Sequence, residues 1–171
     1  MHSDGLKTIK LDTQNTTLLL SVNKDNTLGI RYYGKKLENM NFDGLFSAPS
    51  EPYYQNLGIS SFGEYDFRES SILAEYENGS FVTRLRYCGH TLTDKPDISP
   101  LPSAFGADET LQVYLEDEIS GLTVIQYYSA FKKCDVITSF CVIKNGSKSP
   151  CYLRKAMSIQ LDLTGDEFEV T

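Results

Sequence analysis

The sequence predicts an all-β fold, an antiparallel β-sandwich that occupies all of residues 1–171 and makes the first part of something larger. Apolar residues recur with a period of two, and no window repeats them at the three- and four-residue spacing of an amphipathic helix. Runs rich in β-branched and aromatic residues are punctuated by Gly, Pro, Asn and Asp. These runs outnumber what one flat sheet would use, which favours two layers.

Taken in order, Thr17 to Val22 and Thr27 to Tyr33 flank the polar turn Asn23-Lys24-Asp25-Asn26, and Gly34 closes this first hairpin. A second hairpin is expected from Ser71 to Glu77 and Phe81 to Tyr87, because Asn78-Gly79 supplies the positive φ that a tight turn needs. From Thr110 to Glu116 the chain alternates, with Leu111, Val113 and Leu115 on one face. The turn Asp117 to Gly121 then leads into a strand from Leu122 to Phe131. Two long strands follow, Asp135 to Lys144 and Cys151 to Leu163, joined by a loop ending in Pro150 that suits no strand centre. Between Gly34 and Ser71, and between Thr91 and Asp108, the chain reads as irregular and holds five of its six prolines. Long loops on a rigid sandwich are the natural seat of function. Phe168-Glu169-Val170 begins another strand pattern, so the polypeptide reads as a piece of a longer one.

The composition sets limits on function. With 171 residues, 40% hydrophobic, the chain can bury a substantial core. A net charge of -7 argues against nucleic acid or an anionic membrane as a partner, since both need clustered Lys and Arg. The start, Met1-His2-Ser3-Asp4-Gly5, carries no basic stretch, and Leu18-Leu19-Leu20 is too short for a signal or membrane span, which points to a cytoplasmic protein. Cys88, Cys134, Cys141 and Cys151 show no CxxC pair and no His at ligand spacing, so buried free thiols are expected and neither a metal nor a cofactor.

Several residues invite a chemical reading. Glu64, Asp66 and Glu69 set carboxylates beside Arg68, an arrangement that suits an acid and base pair. In an extended segment, however, Asp66 and Arg68 point to the same side, and an ion pair pinning a loop to the sheet is the simpler expectation. His90 lacks a Ser, Cys or Asp context and reads as a polar strand-end residue. Glu116-Asp117-Glu118 reads as a solvated turn. Tyr32, Tyr33, Tyr53 and Tyr54 have the chemistry of a sugar-stacking platform, although of the adjacent Tyr32 and Tyr33 one is expected in the core.

The run Ser61-Phe62-Gly63-Glu64-Tyr65-Asp66-Phe67-Arg68, followed by Asn78-Gly79-Ser80-Phe81-Val82-Thr83-Arg84-Leu85-Arg86-Tyr87, resembles motifs of glycoside hydrolase family 36 in order and spacing. The resemblance continues through His90, Lys95-Pro96, Leu101-Pro102, Glu109-Thr110-Leu111, Leu115-Glu116-Asp117, Asp135-Val136-Ile137-Thr138 and Ala156-Met157-Ser158, covering almost the whole chain. It implies an amino-terminal β-supersandwich that precedes a (β/α)8 barrel and a small carboxy-terminal β-domain. The implied activity is that of a retaining α-galactosidase acting on oligosaccharides such as melibiose and raffinose, through two aspartates on barrel strands. No position here matches either aspartate, so no catalytic residue is expected in this segment.

The resemblance also implies a homo-oligomer, a tetramer in some members, in which a loop of this domain reaches a neighbouring subunit's active site and an aspartate on it contacts the sugar. The best match is Asp43 within Asn41-Phe42-Asp43-Gly44-Leu45-Phe46-Ser47. A carboxylate there would accept two hydrogen bonds from adjacent sugar hydroxyls. The chain is therefore expected to be the non-catalytic amino-terminal domain of an α-galactosidase, with α-galactoside oligosaccharides as partners of the parent enzyme. The alternative is a stand-alone carbohydrate-binding or structural β-sandwich.

Overall fold

The computed structural model describes residues 7–38, 40–42, 57–64, 66, 68–94 and 104–162. Their strands are, in chain order, β1 (Lys7–Asp12), β2 (Thr16–Val22), β3 (Leu28–Lys35), β4 (Ile72–Tyr76), β5 (Arg86–Thr93), β6 (Glu109–Asp117), β7 (Leu122–Phe131), β8 (Val136–Asn145) and β9 (Cys151–Ala156). A 3-10 turn, Lys132–Cys134, makes the corner between β7 and β8.

The first three strands form an antiparallel meander, β4 pairs with β9, and β5 to β8 form a four-stranded antiparallel sheet in sequence order. Residues 57–61 stitch the first two groups together, because Leu57 bridges to Gly29 of β3 and Ser61 bridges in parallel to Ile72 of β4. The stitched layer faces the four-stranded sheet. Ile9, Leu11, Leu18, Leu20, Ile30 and Ile72 on one side meet Leu111, Val113, Leu115, Val124 and Tyr128 on the other in one buried cluster. This is the two-layer solution for strands with one apolar face each.

β7 departs from simple alternation, since every residue from Val124 to Ala130 is buried. As an inner strand of the sheet it is also shielded on its outer face, where Tyr127 stacks on Phe140 with ring centroids 4.3 Å apart. On the inner face Gln126 is fully buried and donates through Nε2 to Ser139 Oγ at 2.6 Å and to the Ser158 carbonyl at 2.7 Å, tying residues beyond β9 to the sheet.

Two bulges reset the side-chain pattern. Leu19 pairs with Tyr32 but Leu20 with Ile30, so Arg31 is the extra residue of β3. Its guanidinium turns back to Ser21 Oγ at 2.7 Å and to Asn23 Oδ1. The bulge moves Tyr32 off the side that Ile30 occupies, and neither Tyr32 nor Tyr33 becomes a core residue; Tyr33 is 44% exposed. In β5, Tyr87 pairs with Leu115 and Gly89 with Tyr114, so Cys88 is the bulged residue and lies exposed. The expectation of buried thiols fails there and at exposed Cys134, while Cys141 and Cys151 are half-buried; all four are free.

Other expectations are also revised. β1 precedes the first strand expected at Thr17: Ile9 and Leu11 alternate with Thr8, Lys10 and Asp12, and both are buried. The Asn-Gly turn forms, with the Gly79 amide donating to the Tyr76 carbonyl at 2.8 Å, but no hairpin follows it. β4 pairs with β9 instead, and residues 81–85 are drawn to residues 61–62. β5 therefore starts later than expected and runs through Thr93, and β9 ends at Ala156, short of Leu163.

The β7–β8 corner is hooked to the turn between β1 and β2. Asp135, at φ 57°, accepts hydrogen bonds from Thr13 Oγ1 and, at 3.0 Å, from the Asn15 amide. These bonds, the Thr13 hydroxyl first, hold its carboxyl below the usual range.

The core supplies a paired test. Leu111 is 1% exposed, and Leu111→Ala should cost about 2–5 kcal/mol in urea unfolding. Tyr128 is fully buried, burial pushes its phenol up, and its hydroxyl has no hydrogen-bond partner among the described residues. Tyr128→Phe should then leave stability unchanged or raise it by about 1 kcal/mol, because a desolvated, unpaired hydroxyl is removed.

Candidate functional site

The two segments that carry the sequence resemblance lie against each other. Ser61 Oγ donates to the Thr83 carbonyl at 2.6 Å, and the Thr83 amide donates to the Phe62 carbonyl at 2.9 Å. Phe62 and Phe81 meet edge to face at 6.4 Å. Gly63 has φ +95°, and a Cβ there would stand 2.7 Å from Val82 Cγ1, so only glycine permits this approach. Tyr76 hydroxyl shares a 2.8 Å hydrogen bond with Thr83 Oγ1, fixing the far side of the same contact.

Each carboxylate of the motif meets its own cation. Glu64, with a side chain 6% exposed, contacts Arg84 at 3.3 Å and Arg86 at 3.1 Å. Asp66, 5% exposed, receives Arg68 Nε at 2.9 Å and Nη2 at 2.6 Å in a two-pronged pair, and the Arg68 amide at 3.1 Å. Arg68 Nη1 extends to Asp162, and Glu69 pairs with Lys155. The Arg68 guanidinium holds the Asp66 carboxyl below the usual range and is itself raised in turn. Carboxylates each engaged by their own cation suit structure better than proton transfer, which needs a carboxyl free of such a partner. Asp66 and Arg68 are visible in the sequence as neighbours; the contacts of Glu64 with Arg84 and Arg86 are missed there. The one available signal is the Arg84-x-Arg86 spacing, which aims both guanidinium groups to one side of an extended chain.

The remaining candidates separate. Asp43, Tyr53 and Tyr54 lie outside the described residues. His90 sits inside β5, not at a strand end, with Nδ1 2.6 Å from the Tyr87 hydroxyl, which also accepts from Lys7 Nζ at 3.3 Å. Burial, with the charge on Lys7 second, lowers the imidazole pKa. Asp117 is 2% exposed and not a solvated turn residue. It accepts hydrogen bonds from the Ile119 amide at 3.0 Å, the Arg84 amide at 3.2 Å and Ser120 Oγ at 2.8 Å, organising the β6–β7 turn and joining it to the motif. Among the described residues no three His, Cys, Asp or Glu side chains gather as a metal centre would require. No described helix is long and apolar enough to cross a membrane.

At the end of the sandwich, the turns after β4 and β6 and the β8–β9 loop enclose an open cleft of about 530 Å³. Tyr76, Glu77, Asn78, Val82, Ile119 and Ser147 are among its walls, and Ile119 is 86% exposed. Its hydroxyls are turned into their own loops: Ser120 Oγ bonds Asp117, and Ser147 Oγ bonds Asn145 Oδ1 at 2.8 Å.

Three outcomes follow from this geometry. Gly63→Ala should cost about 1–3 kcal/mol by thermal or urea unfolding, through positive φ and collision with Val82. Arg68→Leu should cost about 1–2 kcal/mol at neutral pH, allowing for the half-exposed guanidinium, and the gap to wild type should close as pH falls below about 4, where the unfolded chain takes up the Asp66 proton before the folded one. His90, held neutral in the fold, should contribute stability that is full above about pH 6.5 and declines below it; His90→Gln should remove that part of the pH dependence in urea titrations on either side.

Residues 26–171 match the model of the glycosyl hydrolase family 36 N-terminal domain. Over 98% of its length the chain is 28% identical to alpha-galactosidase Mel36A of Lactobacillus acidophilus, of which it covers 26%. A Probable alpha-galactosidase G of Aspergillus terreus is 32% identical over 63% of the chain, covering 15% of that protein. Among solved structures, an alpha-galactosidase from Lactobacillus brevis superposes with TM-score 0.79 at 28% identity, covering 91% of this chain and 24% of that one. The alpha-galactosidase AgaA of Geobacillus stearothermophilus in complex with raffinose superposes with TM-score 0.80 at 26% identity over the same shares. The chain thus spans about a quarter of the length of the Lactobacillus and Geobacillus relatives. The family match, the two-layer antiparallel architecture and the structural likeness agree, and the chain belongs to the glycosyl hydrolase family 36 N-terminal domain family.

Proposed function

We propose that this chain is the non-catalytic amino-terminal domain of a cytoplasmic, retaining α-galactosidase that removes terminal α-galactosyl residues from oligosaccharides such as raffinose. The observation that carries the reading is the family match over residues 26–171, together with curated relatives that are alpha-galactosidases. Relatives solved with raffinose and with stachyose support the substrate class. In this reading the domain supports a homo-oligomer, and Asp43 edges the active site of a neighbouring subunit. Buried Phe42 just before Asp43, with Lys10 Nζ 5.8 Å from its ring centroid, and buried Leu57, bridged to Gly29, support a segment with two firm ends. The ion pairs of Asp66 and Arg68 act as architecture.

The test compares this chain with the polypeptide of the complete reading frame on a chromogenic α-galactoside. Only the longer protein should turn over substrate, and in it Asp43→Ala should raise KM by about tenfold or more, the equivalent of a lost charge-assisted hydrogen bond. Turnover by the short chain would overturn the non-catalytic reading, and an unchanged KM would remove Asp43 from the sugar site.

A further inference from the structure

The chain contains the tripeptide Asn-Gly-Ser twice, at Asn78-Gly79-Ser80 and at Asn145-Gly146-Ser147, and both asparagines are exposed. We propose that Asn78 is a site of spontaneous deamidation and that the fold holds the identical Asn145 site in check.

In this reaction the backbone nitrogen of the following residue loses its proton to solvent base and attacks the asparagine Cγ. A C–N bond forms, the side-chain nitrogen leaves as ammonia, and a five-membered imide results. Water then adds to either imide carbonyl and breaks one C–N bond, giving aspartate or isoaspartate. One water is consumed, one ammonia is released, and nothing is oxidised or reduced. Glycine favours the step because no side chain hinders its nitrogen. What remains is whether the carboxamide can swing over that nitrogen, a matter of local geometry.

The two sites differ in that respect. At Asn78 the one side-chain bond is Oδ1 accepting from the Ser80 amide at 3.0 Å, which polarises the carbonyl under attack and leaves the departing Nδ2 without a partner among the described residues. A Cβ built on Gly79, at φ +78°, meets nothing within 4 Å, so the ring has space to close. Two backbone bonds close this turn, Gly79 amide to Tyr76 carbonyl at 2.8 Å and Tyr76 amide to Ser80 carbonyl at 2.9 Å, and only the first occupies the attacking nitrogen and must open.

Asn145 is held at both ends of its carboxamide. Oδ1 accepts from the Ser147 amide at 3.0 Å and from Ser147 Oγ at 2.8 Å, while Nδ2 donates to the Ser149 carbonyl at 2.9 Å. Asn145 is also paired to Leu122 in the β7–β8 ladder. The Gly146 amide is bonded to the Gly121 carbonyl at 3.0 Å, and a Cβ on Gly146 would stand 3.0 Å from that same oxygen, so the nucleophile is hemmed in. Conversion of Asn78 places a second carboxylate beside Glu77 on the wall of the cleft.

Because the tripeptides are identical, the protein carries its own control. Purified protein that melts cooperatively is held at mildly alkaline pH beside the same chain in urea, and peptides spanning each asparagine are followed by mass spectrometry with isoaspartate detection. In the folded protein Asn78 should convert at least about tenfold faster than Asn145, and in urea the two rates should converge. Ser147→Ala, which removes one tether, should accelerate Asn145 alone. Equal rates in the folded protein, or an Asn78 that stays intact while the urea sample converts, would overturn the proposal.

Discussion

A carboxylate withdrawn from water must be neutralised where it stands, and that constraint organises the motif end of this domain. Glu64 and Asp66 are almost wholly covered, so the chain must deliver guanidinium groups to both within a few residues of one another. Arg68 answers locally and extends to Asp162, while Arg84 and Arg86 arrive from the start of β5. The three-way meeting of residues 61–64, 66 and 68 with residues 81–86 and the stretch after β9 is a geometric consequence of charge balance. Gly63 makes it sterically possible by letting the turn close on Val82.

Beneath that end the sandwich is built more simply. The stitched layer and the four-stranded sheet each contribute one apolar face, and the seam between them is continuous from Ile9 to Tyr128. Polar groups enter it where they have work: Ser60 and Ser71 exchange hydrogen bonds, with each amide donating to the other's hydroxyl at 2.8 and 3.0 Å, so the bridging segment is tied to β4 in a region closed to water.

How far the fold could be read from the chain depended on whether a signal was local. β6 and β7 were legible, since alternation and turn chemistry decide them; β7 begins at Leu122 and ends at Phe131 as expected. The hairpin after Asn78-Gly79 was not, because the turn is local but its strand partners are chosen by burial, and β4 found β9 instead. The bulges at Arg31 and Cys88 were also hidden, although a one-residue slip decides which side of the sheet the neighbouring tyrosines take. At the candidate site, Asp66 and Arg68 could be paired on spacing alone. The meeting of the two motifs could not, because residues some 20 positions apart must be brought together by the tertiary fold.

The hook at Asp135 bears on how the molecule is made. Its bonds to Thr13 and Asn15 close loops of 122 and 120 residues, among the most non-local contacts a chain of this size can form. During synthesis the β1–β2 turn would emerge on the order of ten seconds before the corner that latches it. For that interval Leu18, Leu20 and Ile30 have no opposing sheet, and a nascent meander with an uncovered greasy side is a natural client for a holding chaperone.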